Sequence, residues 1–475
     1  MKIAIFILLF AAVALQAGSD ELKSQIERLV DKGEFRAAQT LMRQGIAGRP
    51  RLDPLQRLWL KFEIERLDRI RKDFTKSRTE VVQEIKRFLP KVTESDLLRW
   101  EAEKSLEYMV IDGEKKYFQW AVNNLFRINS RLKAIKTEKQ PPSPATGYDR
   151  LADLDAIVRS TASTDQKWVH PVRPTITYTL TVPANTIPAG EILRCWLPFP
   201  KEVPPRQTDI DLIETHPKTY ILSDSQEPVH RSIYFEQITK AGKETVFRVS
   251  FSFTSHATRT SIDADNVSPV ESTPKLEPYL QERPPHIVFT PELRRLSQEI
   301  VGDEKNPYRI AQKLFQWIDD HIPWASAREY STFENISDYV YRNRHADCGM
   351  QTIFFITLCR LNGIPARWQS GWYFEPGDWT MHDWGEIYFY PYGWVPMDVT
   401  YGLQNAKRPE VKWFYLSGMD AYRWIVNSDY SEKFYPAKIH ERSETIDFQR
   451  GEVEWRGGNL YFDQWEYEFK VELEP

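Results

Sequence analysis

The sequence predicts a multidomain α+β protein: a helical N-terminal domain, an antiparallel β-sandwich, and an α+β core followed by a β-rich C-terminal extension. Three observations predict it. The chain has 475 residues, more than the roughly 100–200 of one domain. Apolar residues recur at helical spacing as far as about residue 138 and alternate from about residue 172, a change of period from 3.6 to 2. Pro141-Pro142-Ser143-Pro144 marks the break between the two regimes. Composition agrees: 41% hydrophobic and 27% charged residues exclude wholesale disorder. A net charge of −4 offers nothing to nucleic acid. Three cysteines exclude a disulfide-dense scaffold.

The elements follow in order. Lys2, the apolar run from Ile3 to Leu15 and the small residues Ala17-Gly18-Ser19 read as a signal peptide over 1–17. The run is shorter than the ~20 residues a membrane span needs, so an exported protein, periplasmic or secreted and without stable membrane insertion, is expected. Residues 18–140 form the helical domain. Ile26, Leu29, Val30, Ala37, Ala38, Leu41 and Met42 share one face, broken at Gly33. Helices are also expected over Leu55–Phe74, Val81–Leu89, Leu97–Val110 and Tyr117–Leu132. The run from Leu29 to Ala38 resembles the turn of a tetratricopeptide hairpin, without a second copy at a period of 34. This domain carries no visible chemistry and is expected to contact a protein partner. Residues 141–170 read as a linker. Ile176, Tyr178, Leu180 and Val182 alternate at the start of the sandwich, 171–287.

The core is expected over 288–405 and the β-rich extension over 406–475. Thr290-Pro291-Glu292 is a helix start, with an N-cap oxygen, a proline and an acid in sequence. A further helix follows Asn306-Pro307. Another begins at Cys348 and ends at Gly363-Ile364-Pro365. Strands follow over Arg367–Phe374, Trp384–Tyr390 and Gly393–Asp398.

Cys348 opens a helix, where positive potential favours the thiolate. His382 lies 34 residues on and Asp398 a further 16. If their strands are antiparallel neighbours, His382 and Asp398 lie side by side, and the acid orients the imidazole. Asp383 points to the opposite face, and His345 reads as a solvated or capping residue. Cys195 and Cys359 read as core. Asp263-Ala264-Asp265-Asn266 starts like a calcium loop, but Ser268 and Pro274 stand where such a loop needs Gly and Glu. No metal or cofactor is expected.

Asp347-Cys348-Gly349, Leu361 to Arg367, His382-Asp383-Trp384 and Gly393 to Asp398 together resemble the transglutaminase-like superfamily, over about 290–405. The region around Leu193–Pro200 resembles the sandwich preceding this core in exported bacterial members. The resemblance implies a papain-like Cys348–His382–Asp398 triad acting on peptide or protein amides through a thioester, with water or an amine as acceptor. It also implies an oxyanion site formed by the Cys348 N–H and an upstream aromatic, here Tyr330. Trp324, Trp379 and Trp384 are expected to line the substrate groove. The competing reading is an inactive binding protein for peptide or glycan.

Overall fold

The computed structural model describes residues 21–48, 52–139, 147–163 and 167–473. The expected signal peptide and Pro141–Pro144 lie outside them. The chain divides into two compact units, Met1–Pro141 and Pro142–Pro475.

In the first unit, helix 21–31 turns at Gly33, where φ is +74°, into helix Phe35–Gly48. Helices Pro54–Asp73, Arg78–Lys86, Glu94–Ala102, Ala121–Ile128 and Ser130–Lys139 follow. Ser77 and Thr93 close capping boxes with Glu80 and Asp96. Their apolar faces meet around Phe35, Leu67, Trp100 and Leu125, each worth about 1.5–3 kcal/mol of burial. One expectation is corrected. Leu97–Val110 is not a single helix, because Tyr108–Ile111 and Glu114–Tyr117 form a hairpin. Asp112 and Gly113 both take positive φ at its turn, as a two-residue hairpin requires.

The second unit begins inside the expected linker, with helix α1 (Arg150–Ser163) and strand β1 (Trp168–Val172). In the sandwich, β2 (Pro174–Val182) buries every second residue. Strands β3 (Ile192–Pro198), β4 (Gln207–His216), β5 (Ser232–Ile238) and β6 (Thr245–Arg259) complete the N-terminal part. The core follows with α2 (Pro291–Val301), α3 (Pro307–His321), α4 (Ile336–Asn343) and α5 (Cys348–Leu361). Thr290 and Asn306 cap α2 and α3. Strands β7 (Ala366–Glu375), β8 (Asp378–Phe389), β9 (Gly393–Met397) and β10 (Arg423–Asn427) form an antiparallel sheet in the order β9-β8-β7-β10.

The tail is not a separate extension. After β10 it runs to β11 (Glu452–Trp455), which pairs with β3, and to β13 (Glu466–Leu473), which pairs with β2 along its whole length. A short β12 (Gly458–Leu460) lies between them. The chain's end therefore belongs to both sandwich sheets. The sequence predicts a β-rich region here but carries no record of its strands' partners.

Candidate active site

Helix α5 places the thiol. Asp347 caps it, its Oδ1 accepting the Met350 N–H at 3.0 Å, so Cys348 is the first helical residue. Residues Gly349 to Arg360 are all buried, because the helix packs against β7 and β8 on one side and α2, α3 and α4 on the other. A helix buried all round needs apolar residues on every face, which Met350 to Leu358 supply.

Strand β8 places the imidazole. Gly385 faces Met397 of β9, so Asp398, one residue beyond β9, reaches back to His382. Their Nε2–Oδ2 distance is 2.6 Å, and both side chains are buried. Arg423 of β10 donates to the same Oδ2 at 3.2 Å and pairs with Asp420 at 3.0 Å. The Thr400 and Tyr401 N–H groups donate to Asp398 Oδ1. Burial pushes the Asp398 carboxyl up, but His382, Arg423 and these amides outweigh it and hold it below its ordinary value.

Cys348 is half-buried and opens on a cavity of about 330 Å³ lined by Tyr330, Asp347, Asp383, Asp447 and Arg450, with Trp324 also contributing to its wall. Its Sγ donates to Asp383 Oδ2 at 3.3 Å. Among the described residues no hydrogen bond joins Sγ to His382. The structure thus unites His382 with Asp398 and Cys348 with Asp383, as two neighbouring pairs. Strand alternation sends Asp383 away from the His382 ring, as expected, and that direction leads to the thiol.

Asp383 is firmly held. Gln449 Nε2 donates to its Oδ1 at 2.8 Å and to the His382 carbonyl at 3.0 Å. The Tyr330 hydroxyl lies 3.3 Å from Asp383 Oδ2 and 2.9 Å from each oxygen of Asp347. Asp447 stands beside Asp383 in the cavity wall. Burial, then Asp447 and Asp347, push Asp383 well above its ordinary value. Burial raises Asp347 to about 7 and Asp447 to about 6. Arg450 is engaged by Glu329 through both of its terminal nitrogens.

Several site expectations are corrected. The thiol is not acidified: burial, then the charges of Asp383 and Asp347, push it well above its ordinary value, outweighing the Asp383 N–H. Trp384 is fully buried, its indole N–H bonded to Gln369 Oε1 at 2.6 Å beside the His382 ring, so it packs the core instead of a groove. Trp379 is exposed at the start of β8 and lies outside the cavity lining. His345 is buried with its ring against Tyr339, not solvated. Tyr330 and Trp324 both line the cavity. Asp447, Gln449 and Arg450 were not foreseen. They come from an irregular stretch between β10 and β11 with no periodic signal, whereas Asp383 could have been found by asking what lies on the other side of His382.

Residues 294–399 match the family model of the transglutaminase-like superfamily, so the resemblance carried by the four motifs holds over this core. No curated protein matches the chain. Among solved structures, a candidate cysteine protease from Cytophaga hutchinsonii is similar at 15% identity and a TM-score of 0.44, over 65% of this chain and 91% of that one. The periplasmic domain of TgpA from Pseudomonas aeruginosa is similar at 17% identity and a TM-score of 0.24, over 47% and 93%. A candidate protease from Parabacteroides distasonis is similar at 8% identity and 0.18, over 48% and 67%. Among the described residues no helix is long and apolar enough to cross a membrane.

Proposed function

We propose that the chain is an exported cysteine enzyme that cleaves or transfers acyl groups of peptide or protein amides through a thioester on Cys348. The observation that carries this reading is the thiol at the start of α5, opening on a cavity beside the strand that bears His382, whose ring is bonded to Asp398 just past the neighbouring strand. Sγ attacks the amide carbonyl. His382, oriented by Asp398, supplies acid–base catalysis, and water is the favoured acceptor. The Cys348 N–H and the Tyr330 hydroxyl, when turned from Asp347, stabilise the oxyanion, a donor of this kind being worth about 10²–10³ in rate. The helical unit provides a protein-contact surface, with Leu55, Leu58 and Trp120 exposed on it.

Turnover of a glutamine-containing peptide library, with and without added amine, tests the reading. Cys348→Ala is expected to abolish it while circular dichroism stays unchanged. Released ammonia with free acid marks hydrolysis, and an amine adduct marks transfer. Binding of peptides by wild type without any turnover would instead identify an inactive binding protein.

A further inference from the structure

A thiol that stays protonated needs a neutral base. Burial and the charges of Asp383 and Asp347 push Cys348 up, so His382 can take the Sγ proton only in its uncharged form. Yet a carboxylate 2.6 Å from a buried imidazole favours the imidazolium. We propose that Arg423 is a positioning residue of this site, acting through Asp398 to keep His382 neutral and in one tautomer. The inference rests on the acyl-transfer reading and adds the group that makes its base usable.

Asp398 Oδ2 accepts from His382 Nε2 at 2.6 Å and from a terminal nitrogen of Arg423 at 3.2 Å. One oxygen thus serves the ring and the guanidinium together, so the charge it presents to the ring is shared with a permanent cation. Asp398 is held below its ordinary value, and an ionised carboxyl only accepts. Nε2 therefore carries the ring's proton, and Nδ1 is left as the acceptor. Arg423 is completely buried. Beyond its two carboxylates, its Nε donates to the Met419 sulfur at 3.3 Å, a weak acceptor. Among the described residues its Nη1 has no hydrogen-bond partner. A guanidinium so deep and so partly satisfied gains little net stability from its ion pairs. Its effect is electrostatic.

The charges around the ring cancel without a proton on it. Asp420 holds Arg423 at 3.0 Å. Arg206, just ahead of β4, faces Asp420 and donates to its carbonyl at 2.8 Å. Burial lowers Arg206 to about 10, which leaves it a cation at pH 7. Asp398, Asp420, Arg206 and Arg423 balance one another, and an imidazolium would add an unpaired buried charge. Tyr401 meets His382 edge-on at 5.2 Å, and behind it Arg150 of α1 pairs with Glu375 of β7 at 2.7 Å, which also cancels. Tyr373 and Trp384 complete the ring's surroundings, and Asp383 is turned to the other face of β8.

NMR of the imidazole nitrogens in the intact protein tests this without any substrate, the His382 signals being assigned by their loss in His382→Gln. In wild type the ring is expected to be neutral at pH 7, with its proton on Nε2. Arg423→Met keeps most of the volume and removes the charge, and should raise the midpoint of His382 protonation by about one pH unit. Arg423→Lys should stay near wild type. Asp420→Asn leaves Arg423 to Asp398 alone and should lower the midpoint. An arginine that only props Asp398 in place predicts the opposite sign for Arg423→Met: the carboxylate drifts from the ring, and the midpoint falls. A fall or no change in Arg423→Met, or a wild-type ring already charged at pH 7, overturns the proposal. If Arg423→Met fails to fold, Asp420→Asn takes its place: a lowered midpoint supports the proposal, and an unchanged or raised one overturns it. On a confirmed substrate, Arg423→Met should lose roughly tenfold in turnover at pH 6 and recover as pH rises, as a one-unit shift of the base requires. Turnover that survives Cys348→Ala would sink the acyl-transfer reading by itself and leave the NMR result standing.

Discussion

Asp398 answers to two donors at once, and that sets what its loss should do. Its Oδ2 accepts from both His382 and Arg423, with none of the three side chains open to solvent by more than a few per cent. Asn at this position keeps the shape, loses the charge, and leaves Arg423 with Asp420 alone. Breaking one arm of a buried ion network costs on the order of 3 kcal/mol. Asp398→Asn should therefore lower both the urea midpoint at pH 7 and turnover, the latter at least a hundredfold. Unchanged stability would mean that Asp420 alone satisfies the guanidinium. The His382–Asp398 neighbourhood was legible because His382 sits on β8 and Asp398 directly follows β9, and the lengths of the two strands fix their register. The role of Arg423 was not, because its strand pairs with β7 from 48 residues beyond Glu375 and no local pattern announces that.

Helix α5 shows how an element is chosen by its surroundings. Its start, its length and its end at Gly363 follow from cap chemistry and apolar content, and each is readable in sequence. The need for glycine at its second position is not. A Cβ on Gly349 would lie 2.1 Å from the Tyr330 hydroxyl oxygen and 2.7 Å from Asp383 Oδ2, so the site's own polar atoms occupy that space. Gly349→Ala must displace Tyr330 and Asp383 from the thiol. Turnover is expected to fall at least tenfold, with an overpacking cost of about 1–3 kcal/mol. A crystal structure of the variant with both side chains in place and activity retained would contradict this. The hairpin at Asp112-Gly113 teaches the converse: its turn dipeptide is a strong local signal, hidden by apolar residues that also fit a helix.

At the scale of the molecule, the carboxylates around the cavity give the second unit an unusual dependence on pH. Asp347 and Asp447 are raised to about 7 and about 6, above the ordinary value of about 3.9. The folded state therefore binds more protons than the unfolded state between about pH 4 and 7. Stability from these groups is complete below about pH 4 and is lost as pH rises through 6 and 7. Asp398 works in the opposite sense, losing its contribution only as pH falls through its lowered folded value. Denaturant unfolding of the intact chain should show Asp347→Asn and Asp447→Asn gaining stability relative to wild type between pH 5 and 8. A constant difference across that range would mean that neither carboxyl takes up a proton on folding. None of this was visible in sequence, since it depends on a segment around residues 444–450 that reaches the cavity only because β11 and β13 tie the tail to the sandwich. That connection also bears on biosynthesis. The wall that Glu444, Asp447, Gln449 and Arg450 supply is made well after Cys348, so a nascent chain carries its thiol for a time without a finished site around it.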